Sequence, residues 1–192
     1  MNIFSHVSVF ISIILGLAVV HILGGISLIL DKRVSTKTYK LHNLWAFNML
    51  FVAVNVWLSS FVLSSLEVLE AIHFINLLAY ATLTYLLSGL LFPVQGEEVT
   101  DFKIHFMENR TRFYVLCVLF VIVDAFDGIF EHVNADVAWD LGQFGTLGVW
   151  LIFFLLGLKI KNEKLDWGIA IIFTVGLIGW FQSMIDTKIL MW

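Results

Sequence analysis

Charge is what this chain has least of: Lys, Arg, Asp and Glu make up 14% of its 192 residues, against about 25% in an ordinary soluble domain. With 60% apolar residues beside it, that deficit excludes a water-soluble globule. Cysteine occurs once, as Cys117, which excludes a disulfide framework and any Cys-rich metal motif. Proline also occurs once, as Pro93, so it is expected to end the third apolar run or mark its exit from the membrane. No sustained apolar/polar alternation is present, which excludes a transmembrane barrel. A basic patch for nucleic acid is missing. So is an HExxH pattern, and Ser12, Ser88 and Ser183 have no nucleophile context, so an intramembrane hydrolase has no support. No cofactor is expected.

What is present is apolar length. About 20 helical residues cross the roughly 30 Å hydrocarbon layer, and charge-poor runs of that order recur six times, at residues 7–30, 41–63, 71–92, 113–132, 141–158 and 167–184. The sequence predicts an all-α, polytopic integral membrane protein, with residues 1–192 forming a single bundle of six transmembrane helices. The first run has no basic stretch before it and no small-residue cleavage site after it, so a retained span is expected, not a signal peptide.

Orientation follows from the basic residues. Lys32, Arg33, Lys37 and Lys40 lie between runs 1 and 2, Lys103, Arg110 and Arg112 between runs 3 and 4, and Lys159, Lys161 and Lys164 between runs 5 and 6. These alternate connections are expected inside. The others carry Glu67, Glu70, Glu131, Asp136 and Asp140 without Lys or Arg, so the N-terminus and C-terminus are both expected outside. An even number of spans fits this pattern and an odd number does not. The segment 94–111 has two readings. Thr100 could cap a short interfacial helix presenting Phe102 and Phe106, or the segment could extend the fourth helix. Trp45 and Trp167 are expected at the inner interface and Trp57, Trp139, Trp180 and Trp192 at the outer one.

Polar groups at membrane depth carry the functional argument. The uninterrupted apolar part of the fourth run, Phe113 to Val123, covers only 11 residues, about half the hydrocarbon layer. The run must therefore take Asp124 and Asp127 into the membrane, and Glu131 follows on the same helical face at i+7. On the third run His73, Asn76, Tyr80 and Thr84 share a face, with Ser88 extending it. Asn48, Asn55 and Ser59 do the same on the second. Such stripes commonly serve as interhelical hydrogen-bonding glue. An acid-lined vestibule open to the outside, with His73 and Asp127 as a proton-exchanging pair, would attract cations. His132 beside Asp127 and Glu131 makes a candidate metal set.

The first expectation is thus a proton or small-cation transporter or channel acting through Asp124, Asp127, His73, Asn76, Tyr80 and Glu131. The second is a non-catalytic subunit, sensor or lipid-binding protein. The third is a haem protein with His73 and His132, or His21 and His42, as axial pairs. Ser8, Ser12, Gly16 and Gly24 form a small-residue stripe expected to pack against another helix. The expected partners are the lipid bilayer, a proton or small cation, and a second copy or another membrane protein.

Several features are shared with a known group. Ser12, Gly16 and Leu17 precede Gly24, then come His42, Leu44, Trp45 and Trp57. The ending Leu91-Phe92-Pro93 follows, and then Asp101, His105, Asn109 and Arg110. In these residues, over about two thirds of its length, the chain resembles a family of small bacterial inner-membrane proteins with a domain of unknown function. The resemblance implies a multi-pass fold and an inner-membrane location. It implies no activity and no site.

Overall fold

The computed structural model describes residues 3–31, 36–62, 71–93, 99–135 and 141–188, without the side chains at 3–5, 61–62, 127, 130–135, 141 and 183–188. Six helices occupy these segments: α1 (Ile3–Leu30), α2 (Lys40–Val62), α3 (Ala71–Leu91), α4 (Phe102–Ala135), α5 (Leu141–Lys159) and α6 (Glu163–Lys188). Among the described residues no strand occurs, only an isolated bridge between Lys37 and Asp101. Five helices contain stretches long and apolar enough to cross a membrane: His6–Leu30, Lys40–Ser60, Ala71–Leu91, Gly142–Lys159 and Glu163–Gln182. The described residues of α4 contribute no such stretch.

The fourth helix, α4, begins earlier than the apolar run in its sequence. It starts at Phe102, not Phe113, and runs for 34 residues, about 51 Å at helical rise. Its cap is Asp101, not Thr100: Oδ1 accepts the backbone N–H of Lys103 at 2.8 Å and of Ile104 at 3.3 Å, satisfying two donors that a helix start leaves open. Phe102 and Phe106 do share a face, but it turns into the bundle, where they are buried. From Phe102 onward the segment is therefore part of α4 and not a separate interfacial helix, while residues 94–98 lie outside the described residues.

Backbone hydrogen bonds bring the basic connections together. Lys37 donates to the Thr100 carbonyl at 2.9 Å, and Phe102 donates to the Lys37 carbonyl at 3.0 Å. Lys103 Nζ meets Glu163 at 2.8 Å. The C-terminal ends of α1, α3 and α5 and the N-terminal ends of α2, α4 and α6 thus gather at one basic end, and successive helices alternate in direction. Within the bundle α1 packs on α2 and α3, α3 on α4, α4 on α5, and α2 also on α3 and α6.

Between α2, α4, α5 and α6 the filler is aromatic. Trp45, expected at the interface, is fully buried. Its ring lies 4.9 Å from Phe113, 5.5 Å from Phe173 and 6.3 Å from Tyr114. Trp150 and Phe154 close on Phe173 at 5.1 and 5.7 Å. Edge-on and tilted contacts of this kind suit the ring quadrupole. Trp57 and Trp180 are exposed, in keeping with anchoring.

Glycine makes room for these rings at particular places. At Gly157 an added Cβ would sit 2.7 Å from the Tyr114 ring, and at Gly176 2.6 Å from Trp150. On α1 the packing glycine is Gly25, whose missing Cβ is replaced by the ring of Phe92. This corrects the expected stripe. Gly16 and Gly24 face outward with nothing within 4 Å of a Cβ position, and Ser8 and Ser12 are half-buried. One residue of helix, about 100° of rotation, separates the two faces. Gly25→Ala should therefore destabilise the protein by about 1–3 kcal/mol through overpacking, while Gly24→Ala should stay within about 0.5 kcal/mol. Unfolding in detergent with increasing SDS measures both.

Candidate functional site

The polar row of α3 divides by partner. Thr84 and Ser88 are fully buried, but each hydroxyl donates to its own helix, to the Tyr80 and Thr84 carbonyls at 2.8 Å. They are not interhelical glue. Tyr80 reaches across instead: its hydroxyl donates to Asp124 Oδ1 at 2.6 Å. Its ring lies 5.1 Å from Phe120, one turn before Asp124 on α4. A bond this short between a phenol and a carboxylate is of the charge-assisted kind. Tyr80 lies about 14 Å along α3 from Ala71, so the pair sits near the middle of a helix that is long enough to cross a membrane.

Around the pair, His73 and Asn76 are half-buried on α3, and His73, Tyr80 and Asp124 all have further interactions. The side chains of Asp127, Glu131 and His132 lie outside the described residues, and with them the His73–Asp127 pair and the candidate metal set. Among the described residues no group of three His, Cys, Asp or Glu side chains is placed to hold a metal ion. One turn past Asp124, Gly128 lets α5 approach: a Cβ there would lie 3.2 Å from Gln143 Nε2. On α2, Asn48 does act as glue, donating to the Ala170 carbonyl at 3.3 Å and accepting from Thr174 at 2.9 Å. Asn55, two turns on and also buried, has no partner for either amide atom among the described residues.

A second polar cluster, at the basic end, was not legible as a site. Arg110 donates through Nε and Nη2 to the two carboxylate oxygens of Asp166, at 2.8 and 2.7 Å. Nη2 also donates to the Ile160 carbonyl at 2.8 Å. Tyr114 adds its hydroxyl to Asp166 at 2.9 Å, and its ring lies 5.0 Å from the guanidinium. Arg110 is 3% exposed and Asp166 1%. The available signal was Asp166 with Glu163, two acids in the first turn of α6 among Lys159, Lys161 and Lys164. Nearby, the Tyr39 hydroxyl donates to Glu163 at 3.0 Å. Burial first, and then Glu163, holds that hydroxyl above its ordinary pKa and keeps it a donor.

Histidine serves this end too. His42 Nε2 donates to the Leu91 carbonyl at 2.7 Å and His21 Nε2 to the Phe92 carbonyl at 3.1 Å. These are the last carbonyls of α3 before Pro93, and helix ends leave such acceptors open. His42 is clasped between Phe102, stacked at 4.7 Å, and Phe92, edge-on at 4.9 Å. Both members of the His21–His42 pair thus have Nε2 engaged by backbone carbonyls at the end of α3.

The chain matches no family model, no curated protein and no solved structure. The resemblance to small bacterial inner-membrane proteins rests on its motifs alone. Several of those residues, His42, Trp45, Leu91, Phe92, Asp101 and Arg110, meet at the basic end.

The Arg110–Asp166 pair yields a stability test. Asp166→Ala leaves a buried guanidinium without its carboxylate and should cost about 3–5 kcal/mol, whereas replacing both partners by apolar residues, Arg110→Met with Asp166→Leu, should cost much less. Unfolding of the purified protein in detergent separates the two outcomes.

Proposed function

We propose that this chain is a multi-pass membrane protein that moves protons or small cations, with Asp124 as the group that takes up and releases the charge. The observation that supports this most is the 2.6 Å bond from Tyr80 to Asp124 between α3 and α4. A carboxylate at bilayer depth costs about 2.5–3.5 kcal/mol on insertion scales, and such groups face a bundle interior or water and mark ion or proton paths. Tyr80 positions the carboxylate and offers a hydroxyl through which a proton can pass. His73 and Asn76 continue the polar face of α3 away from the basic end. Asp127 and Glu131 continue that of α4 in the same direction, at i+3 and i+7.

In this reading all six helices cross the inner membrane of a bacterium. The basic end faces the cytoplasm and both termini lie outside. Helix α4 crosses by carrying its carboxylates along the α3 interface.

Reconstitution into proteoliposomes with a pH-sensitive dye inside tests the reading. Asp124→Asn should lower proton or cation flux by about a hundredfold, the scale set by losing one positioned proton-transfer group. Tyr80→Phe should lower it less, and Glu108→Gln, on the exposed face of α4, should leave it unchanged. Wild-type flux in Asp124→Asn defeats the proposal.

The outward face of α1 favours a second reading, a subunit or sensor that binds another membrane protein or a second copy. Gly16 and Gly24 offer a close-approach surface that none of the described residues occupies. Under that reading Gly16→Leu with Gly24→Leu should release a partner that co-purifies with the wild type, and a chain that purifies alone and carries flux excludes it.

A further inference from the structure

We propose that the cleft between the start of α4 and the start of α6, at the basic end, binds a phosphate group, carried there by the headgroup of an anionic membrane lipid. The cleft measures about 280 Å³ and is lined by Arg110 and Thr111 from α4 and by Lys161, Asn162, Glu163 and Asp166 from the α5–α6 connection and α6. A volume near the lower end for ligand sites suits a headgroup and not an acyl chain.

The charges in the cleft do not cancel locally. Asp166 is already matched by Arg110 Nε and Nη2 and by the Tyr114 hydroxyl. Glu163 is already matched by Lys103 Nζ and the Tyr39 hydroxyl. Two donors remain. Arg110 Nη1 is buried and has no acceptor among the described residues, on a side chain that is 4% exposed. Lys161 is exposed and has no ion-pair partner among the described residues. Buried donors in native proteins are almost always satisfied. A planar guanidinium held rigid by its other contacts, with an ammonium beside it, is a recurrent arrangement for phosphate oxygens.

Position agrees with the chemistry. Lys159 and Lys164 flank the cleft in sequence, at the end that the positive-inside rule assigns to the cytoplasm. The cytoplasmic leaflet carries the anionic lipids, and basic pockets between helices on that side bind their headgroups. The inference is independent of Asp124: lipid binding and flux are read separately, and neither failure implies the other.

The test compares protein in nanodiscs of phosphatidylcholine alone with protein in nanodiscs of phosphatidylcholine containing a fifth of phosphatidylglycerol. The anionic lipid should raise the midpoint of thermal unfolding by about 3 °C. Lys161→Glu should unfold like the wild type in phosphatidylcholine and lose most of that rise. Lys40→Glu, an exposed charge at the same end but outside the cleft, should keep it. A parallel arm adds millimolar inorganic phosphate to the phosphatidylcholine discs. No shift there supports a lipid carrier, while a shift lost in Lys161→Glu supports the same site with free phosphate as its ligand. Equal anionic-lipid shifts in wild type, Lys161→Glu and Lys40→Glu, or no shift in any of them, overturn the proposal.

Discussion

The basic end of this molecule is fastened by the buried ion pair between Arg110 and Asp166. It ties α4 to α6 at 2.7 and 2.8 Å in a place where large aromatic rings, not close backbones, fill the space between them. Its net contribution to stability is small compared with what its geometry specifies, because desolvating two charges offsets most of their attraction. The pair holds α4 at one rotation and one height. From Arg110 to Asp124 is 14 residues of continuous helix, about 21 Å. The anchor at the basic end and the Tyr80–Asp124 bond therefore stand about four turns apart on one helix.

The same end shows how a chain with one proline and short connections closes its helices. Pro93 stops α3, and the carbonyls before it find donors in His42 and His21 on two other helices. The rings that clasp His42, Phe92 and Phe102, belong to the last residue before Pro93 and the first of α4. Gly25 admits Phe92 against α1. Capping, aromatic packing and close helix approach are thus one arrangement, in which each element satisfies a backbone or volume demand of its neighbour.

The far end is organised differently. No residue of α6 from Ile171 to Gln182 is fully buried, and Gly145, Gly148 and Gly179 have open space where a Cβ would be. Apolar side chains there face outward, as they must if lipid and not protein is their solvent. Among the described residues, the Tyr80–Asp124 pair lies between the closely packed basic end and this outward-facing stretch.

Much of this was legible from residue order alone, because a bilayer imposes a length and a polarity on each helix that composition must meet. Apolar length determined that the protein is all-α and where α1, α2, α3 and α5 run, and the alternation of Lys and Arg determined which connections share an end. That Tyr80 on α3 stands at the height of Asp124 on α4 followed from counting residues along two helices that run in opposite directions. Rotation could not be read the same way. Gly24 and Gly25 differ by one position, and only packing against Phe92 selects the second. Trp45 and Phe102 resemble interfacial residues by sequence, yet both are buried within the bundle. Arg110 and Asp166, 56 positions apart, pair only once the helices are assembled. Sequence by itself settled what each segment is made for, since that depends on solvent and period. Which faces meet depends on contacts between distant segments, and only the tertiary structure decided it.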